Sequence, residues 1–150
     1  NSIDIGGRGG TSWGYIEGIR SQNQITSNVA STFRNWGIPT AHNLAAIKQL
    51  YPHLPIIATG GIRDGLTVAK AVAIGAQACG IGLPLFKAAL HSTDKVIDSL
   101  TQFITELKIC MLATGSNQLD QLCRNICWED PYETEFKQYV LKISKGTTSV

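Results

Sequence analysis

Short apolar runs that end in glycine recur along the chain. The clearest is Ile56-Ile57-Ala58, which leads into Thr59-Gly60-Gly61 and then into a predicted helix opening at Leu66. Residues 3–5 read Ile-Asp-Ile, a short predicted strand before the glycine cluster of residues 6–10, and another short apolar strand ending in glycine follows at 78–83. An apolar run without polar alternation is typical of a parallel strand covered on both faces. The pattern therefore predicts short parallel strands with glycine at their carboxyl ends.

The segments between these strands mostly show the apolar spacing of helices. The predicted helices cover residues 13–20, 40–51, 67–76, 84–90, 94–113 and 118–124. In the longest helix the apolar stripe is predicted to be core packing, and it consists of Val96, Ile97, Leu100, Phe103, Ile104, Leu107 and Met111. Residues 21–39 are polar and rich in Ser, Asn and Gln, which predicts a long loop. Thr40, and either Thr11 or Ser12, are candidate amino-terminal caps.

Alternating strands and helices predict an α/β protein with a parallel sheet. A doubly wound sheet would place a G-x-G-x-x-G turn after its first strand, and Gly60, Gly61 and Gly65 do not have that spacing. A (β/α)₈ barrel holds phosphate between its last two strand ends, which matches the pattern better. A complete barrel needs roughly 250 residues, whereas this chain has 150. The sequence therefore predicts either a small α/β protein or part of a larger barrel.

The glycine-rich strand ends are candidates for an anion site. Glycine lets a ligand approach the backbone, and a helix that follows directs its positive amino end towards that ligand. Arg8 and Arg63 each follow a glycine pair, where a guanidinium group could meet phosphate or simply be solvated. The predicted ligand is an anion, and a phosphate fits it best.

Composition excludes other classes of function but adds no catalytic set. A net charge of +2, from 13 basic and 11 acidic residues, indicates neither nucleic acid nor a membrane surface as a partner. No apolar run approaches the roughly 18 residues of a membrane span. The four cysteines have no metal-ligand spacing, and we expect reduced thiols in a cytoplasmic protein. No nucleophile or acid–base pair can be assigned to His42, His53 or His91.

Three motifs, in order, resemble one enzyme family. Residues 4–13 read DIGGRGGTSW, residues 36–40 read WGIPT, and residues 58–63 read ATGGIR. Together they are similar to type 2 isopentenyl-diphosphate isomerase, and the resemblance runs from residue 2 to about residue 124. It implies that residues 1–124 are the carboxyl-terminal part of an FMN-binding (β/α)₈ barrel. Residues 125–150 are an unassigned tail.

The resemblance implies an FMN-dependent enzyme that interconverts isopentenyl and dimethylallyl diphosphate. Reduced flavin would act in acid–base chemistry, with NADPH as reductant and Mg²⁺ held outside this chain. No catalytic residue would lie in the chain, and the full-length enzyme would be a cytoplasmic homo-oligomer. The residues expected to contact FMN are Gly6 through its backbone, Thr11, the phosphate-wrapping Gly61, Ile62 and Arg63, and then Gly82 and Leu83.

Two other interpretations stay open. An FMN-dependent 2-hydroxyacid oxidase or dehydrogenase shares the phosphate turn but requires a histidine–arginine pair, for which only His53 and Arg63 lie near the turn. The WGIPT segment argues against that class. A non-enzymatic, phosphate-binding α/β fragment is the third interpretation.

Overall fold

The computed structural model describes residues 2–125 and residue 141. The strands are β1 (Ile3–Asp4), β2 (Ile56–Ala58) and β3 (Ala78–Cys79). The helices are α1 (Trp13–Arg20), α2 (Gln24–Thr32), α3 (Thr40–Leu50), α4 (Gly65–Ile74), α5 (Leu83–Ala89) and α6 (Thr93–Ala113), followed by a 3-10 helix (Leu119–Asn125).

The three strands form one parallel sheet in the order β1-β2-β3. Ile3 pairs with Ile56, and Ile57 pairs with Ala78, so each strand lies beside the next one along the chain. Consecutive parallel strands joined by helices are the arrangement of a (β/α)₈ barrel. All three carboxyl ends meet at one edge of the sheet, as predicted.

The middle strand is the centre of the core. Ile56 and Ala58 on β2 are fully buried, as is Leu44 on α3. Around them pack the other members of the core cluster, which are Ile5, Ile62, Ala71, Ala76 and Phe103. An apolar strand covered on both faces is what its unbroken apolar sequence predicts.

The prediction of a long loop over residues 21–39 was wrong in its first half, because α2 occupies Gln24–Thr32. Asn23 caps this helix, since its side-chain oxygen accepts hydrogen bonds from the amides of Ile25 (2.8 Å) and Thr26 (3.3 Å). Ile25, Val29 and Phe33 have the spacing of one helical face but stay exposed. The polar residues between them concealed that spacing.

The carboxyl-terminal helices differ from prediction in detail. On α6, Phe103 is buried, but Ile97, Leu100 and Ile104 are exposed, so the stripe is core packing only in part. The segment predicted as a short helix at 118–124 is a 3-10 helix, which packs against α4. Its Leu122 is buried. The predicted tail lies outside the described residues, except for residue 125 and residue 141.

Candidate phosphate site at the strand ends

The ends of β1 and β2 are joined by a small polar network. The Thr59 hydroxyl donates to the Asp4 carboxylate, and both side chains accept from the Gly6 amide, Asp4 at 3.0 Å and Thr59 at 3.1 Å. The Gly7 amide donates to the Thr59 carbonyl at 3.1 Å. These bonds fix the two loops that follow the strands against each other.

Close packing between the loop after β1 and the loop after β2 requires glycine at several positions. Gly60 and Gly61 have φ values of 97° and 89°, a region that favours glycine. A Cβ on Gly61 would lie 2.7 Å from the Gly9 carbonyl oxygen, and one on Gly10 would lie 3.0 Å from the Gly60 Cα. Close approach of a ligand is thus not the only reason for these glycines.

The backbone amides of the rim divide into engaged and open groups. Those of Gly6, Gly7 and Arg8 donate within the protein, and Gly80 donates to the Ala58 carbonyl at 2.9 Å. By contrast, within the described part of the chain the amides of Gly61, Ile62, Arg63 and Gly82 have no protein acceptor. Within the described residues, the amides of Gly9, Gly10 and Thr11 in the loop after β1 are also without an acceptor. The open amides that follow β2 and β3 are the ones that lie where the barrel arrangement places phosphate.

The amino end of α4 is already occupied, which corrects the expectation that it faces a ligand. The Asp64 carboxylate accepts from the Thr67 amide and hydroxyl, each at 2.6 Å, and the Glu106 carboxylate accepts from the Gly65 amide at 2.6 Å. The hydrogen bonds from Thr67, assisted by Lys70, hold the pKa of Asp64 below its ordinary value. The protein's own carboxylates therefore take the positive end of this helix.

Both candidate arginines bind neighbouring loops. Arg63 donates from Nη2 to the Gly9 carbonyl at 3.1 Å, and Arg8 donates from Nε to the Gly37 carbonyl at 3.0 Å. Both residues are exposed, and within the described part of the chain the other N–H donors of each guanidinium group have no protein acceptor. Arg63 is thus placed beside the open amides with donors to spare.

The remaining predicted site residues lie around the same edge. Thr11 is exposed between the glycine cluster and α1, where Ser12 occupies the cap position without a side-chain cap bond. Gly82 occupies the amino-terminal cap position of α5 and Leu83 is the first residue of that helix; both are exposed. A Cβ built on Gly82 would meet nothing within 4 Å, so space is open above its backbone.

Sequence reasoning missed the part that Thr40 plays. Thr40 was predicted to cap α3, but it is the first residue of that helix, Pro39 takes the cap position, and no side-chain cap bond forms. The Thr40 hydroxyl donates instead to the Gly60 carbonyl at 2.5 Å. A threonine that follows a proline suggests a helix cap in the sequence. No local pattern indicates a hydrogen bond to Gly60, which is twenty positions away.

The histidine–arginine pair of the hydroxyacid oxidase interpretation does not form. His53 lies in the turn before β2 and Arg63 lies after it, so they sit at opposite ends of that strand. An open apolar cleft of about 390 Å³ between α1 and α2 lies elsewhere; Tyr15, Ile25, Val29 and Phe33 line it. Its lining offers an anion no cationic group.

Parallel strands in sequential order, with helices between them, are the arrangement of part of a (β/α)₈ barrel. The sequence matches the FMN-dependent dehydrogenase family over residues 25–129, and the chain belongs to that family. It is 42% identical over 121 residues to the isopentenyl-diphosphate delta-isomerase of Nostoc sp. and 44% identical over 122 residues to that of Methanococcus aeolicus. The isomerase of Vibrio parahaemolyticus is 43% identical over 124 residues.

These alignments cover 81–83% of this chain but 34–37% of the relatives, so the chain spans about a third of their length. They confirm the resemblance found in the motifs, and the family confirms the fold as a portion of a (β/α)₈ barrel. Within the described residues, no helix is both long and apolar enough to cross a membrane.

Proposed function

We propose that this chain supplies the phosphate-holding portion of the FMN site in an isopentenyl-diphosphate isomerase. The observation that carries the proposal is the run of open amides at Gly61, Ile62 and Arg63, on the edge shared by all three strand ends. The proposal is also supported by the 42–44% sequence identity to two proteins named isopentenyl-diphosphate delta-isomerase.

The described residues fit a phosphate group on physical grounds. Three successive N–H groups can donate to one phosphate without a side chain intervening, and hydrogen bonds to a charged acceptor are about twice as strong as neutral ones. Gly82 lies at the neighbouring strand end and leaves room for the ligand. Arg63 would add positive charge beside its own amide.

Gly6, Thr11 and Leu83, the other residues predicted to contact FMN, can make fewer kinds of contact. Gly6 can offer only its carbonyl, because its amide already donates to Asp4 and Thr59. Thr11 is exposed at the same rim, and Leu83 continues the cradle after Gly82. These residues would orient the bound nucleotide and exclude water from its phosphate.

FMN, when bound and reduced, supplies acid–base chemistry at the substrate double bond. NADPH as reductant, Mg²⁺ at the diphosphate and the groups that bind isopentenyl diphosphate would come from outside residues 2–125.

We also propose that the full-length protein is a cytoplasmic homo-oligomer. The thiols of Cys79, Cys110 and Cys123 are free, which suits a reducing compartment, and light scattering would test the assembly.

A full-length chimera tests the proposal. In it, residues of this chain replace the matching 121 residues of the Nostoc isomerase. We expect the chimera to purify with FMN and, given NADPH and Mg²⁺, to convert isopentenyl diphosphate into dimethylallyl diphosphate. A folded chimera that retains FMN but makes no product would refute the isomerase assignment, and a folded chimera without FMN would refute the phosphate site.

A further inference from the structure

The Gly60–Gly61 peptide joins two residues without side chains. Both have positive φ, so side-chain sterics do not fix the orientation of the peptide plane between them. Rotation would exchange the directions of the Gly60 carbonyl and the Gly61 amide. An amide that is to hold a ligand therefore needs a partner that fixes this plane.

Thr40 fixes it from the opposite side. Its hydroxyl oxygen lies 2.5 Å from the Gly60 carbonyl oxygen, against 3.3 Å from that of Thr59 and 3.4 Å from that of Arg8. Its single hydrogen is therefore assigned to the Gly60 carbonyl. In a trans peptide the carbonyl and the following N–H point in opposite directions, and the described chain contains no cis bond. A Gly60 carbonyl held towards Thr40 leaves the Gly61 amide directed away from it, which is the amide without a protein acceptor.

Thr40 is itself held firmly. Its amide donates to the Arg8 carbonyl at 3.1 Å, and Arg8 forms a parallel bridge with Pro39. A Cβ on Gly7 would lie 2.5 Å from the Thr40 Cα, so the loop after β1 leaves it no room to shift. The hydroxyl is thus aimed by the start of α3 and by the glycine cluster together.

We propose that Thr40 is a positioning residue for the FMN phosphate. It touches no ligand; its hydroxyl selects the orientation of the Gly60–Gly61 peptide that directs the Gly61 amide to the phosphate. This inference rests on the proposed function, because it assumes that the phosphate lies at these amides.

The test compares FMN with riboflavin, which lacks the phosphate, in the full-length chimera. Dissociation constants are measured by flavin fluorescence for Thr40→Val, which keeps the shape, and for Thr40→Ser, which keeps the hydroxyl. Thr105→Val is the matched control, because the Thr105 hydroxyl also donates to a backbone carbonyl, that of Thr101, on the remote helix α6. Thr40→Ala, which cannot overpack, repeats the comparison should Thr40→Val unfold.

We expect Thr40→Val to raise the dissociation constant of FMN about tenfold, which is roughly the loss of one hydrogen bond to a charged group. The dissociation constant of riboflavin should stay unchanged. Thr40→Ser and Thr105→Val should bind both ligands like the parent. Equal weakening of both ligands, or of neither, would overturn the positioning role while leaving the FMN site intact. A parent chimera that binds FMN no better than riboflavin would instead overturn the phosphate site, and this inference with it.

Discussion

At the scale of single residues, glycine at the rim meets two separate demands. Gly60 and Gly61 are required by positive φ and by contact with the backbone of residues 7–10. Gly82 has negative φ and open space around its Cα, so packing does not require glycine there. A substitution at Gly82 therefore tests the proposed phosphate contact without disturbing packing, whereas a substitution at Gly61 would also displace the loop from Gly9.

Gly82→Val separates the two demands. In the full-length chimera we expect it to lower FMN affinity at least about tenfold, because the side chain would occupy the phosphate space, while the melting temperature changes little. Gly14→Val on α1 is the matched control, since a Cβ there also meets nothing within 4 Å. Equilibrium dialysis with FMN and calorimetric melting make the measurement. Normal FMN affinity in the Gly82 variant would argue against Gly82 as part of the cradle.

At the scale of elements, α4 is capped by carboxylates from two places. Asp64 is local and could be predicted, because an acidic residue three positions before Thr67 suits a cap. Glu106 comes from α6, 41 residues away, and only the packing of α6 on α4 brings it to the Gly65 amide. The local sequence could therefore indicate the Asp64 cap, but it could not indicate that Glu106 also accepts from this helix end.

Asp64→Ala should destabilise the chain by about 1 kcal/mol near neutral pH, the usual cost of losing a cap. Because hydrogen bonds from Thr67 lower the pKa of Asp64, its stabilisation is present above the ordinary pKa of 3.8 and is lost as pH falls through the folded value. Urea unfolding from pH 7 to below pH 3 measures this. The difference from the parent should shrink in acid.

Asp64→Asn is the control for that experiment. Asparagine caps helices about as well as aspartate, so this variant should stay close to the parent near neutral pH and lose the acid dependence that Asp64 contributes. A difference between parent and Asp64→Ala that stays constant from pH 7 to below pH 3 would contradict the role given to the carboxylate.

α2 illustrates a helix that apolar periodicity alone does not reveal. Its apolar face is exposed, so no burial reinforces Ile25, Val29 and Phe33, and the surrounding Ser, Asn and Gln favour a loop prediction. The stabilising signal is Asn23, whose side chain accepts from two backbone amides. The helix also packs against α1, where the Ser27 hydroxyl donates to the Gly18 carbonyl at 2.7 Å, and that contact is not visible in the local sequence.

Asn23→Ala should loosen α2 without disturbing the rim. We expect faster hydrogen exchange at the amides of Ile25 and Thr26, by about fivefold for a loss near 1 kcal/mol. Asn23→Asp, an equally good cap, should exchange like the parent. Exchange unchanged in Asn23→Ala would mean that the cap contributes nothing to this helix.

At the scale of the whole molecule, three parallel strands bring distant glycines to one edge. The apolar runs and their glycine ends were enough to predict this edge, because parallel strands linked by helices must end on the same side. Which amides stay open could not be predicted, since that depends on contacts such as Thr40 with Gly60. The local sequence was enough to locate the strand ends, whereas the hydrogen bonds formed there depend on tertiary contacts.

The same topology limits what the 150-residue chain can do by itself. Three strands cannot close an eight-stranded barrel, β1 and β3 each pair on one side within the described residues, and Ile97 and Ile104 on α6 are exposed. We expect the chain alone to bind FMN weakly or not at all. Stoichiometric flavin absorbance in the purified 150-residue chain would contradict this expectation.

The most direct measurement is a crystal structure of the chimera with FMN bound. We expect phosphate oxygens within about 3 Å of the backbone nitrogens of Gly61, Ile62 and Arg63, with the Gly60 carbonyl still bonded to Thr40. A phosphate bound away from these nitrogens, or a Gly60–Gly61 peptide turned the other way, would contradict it.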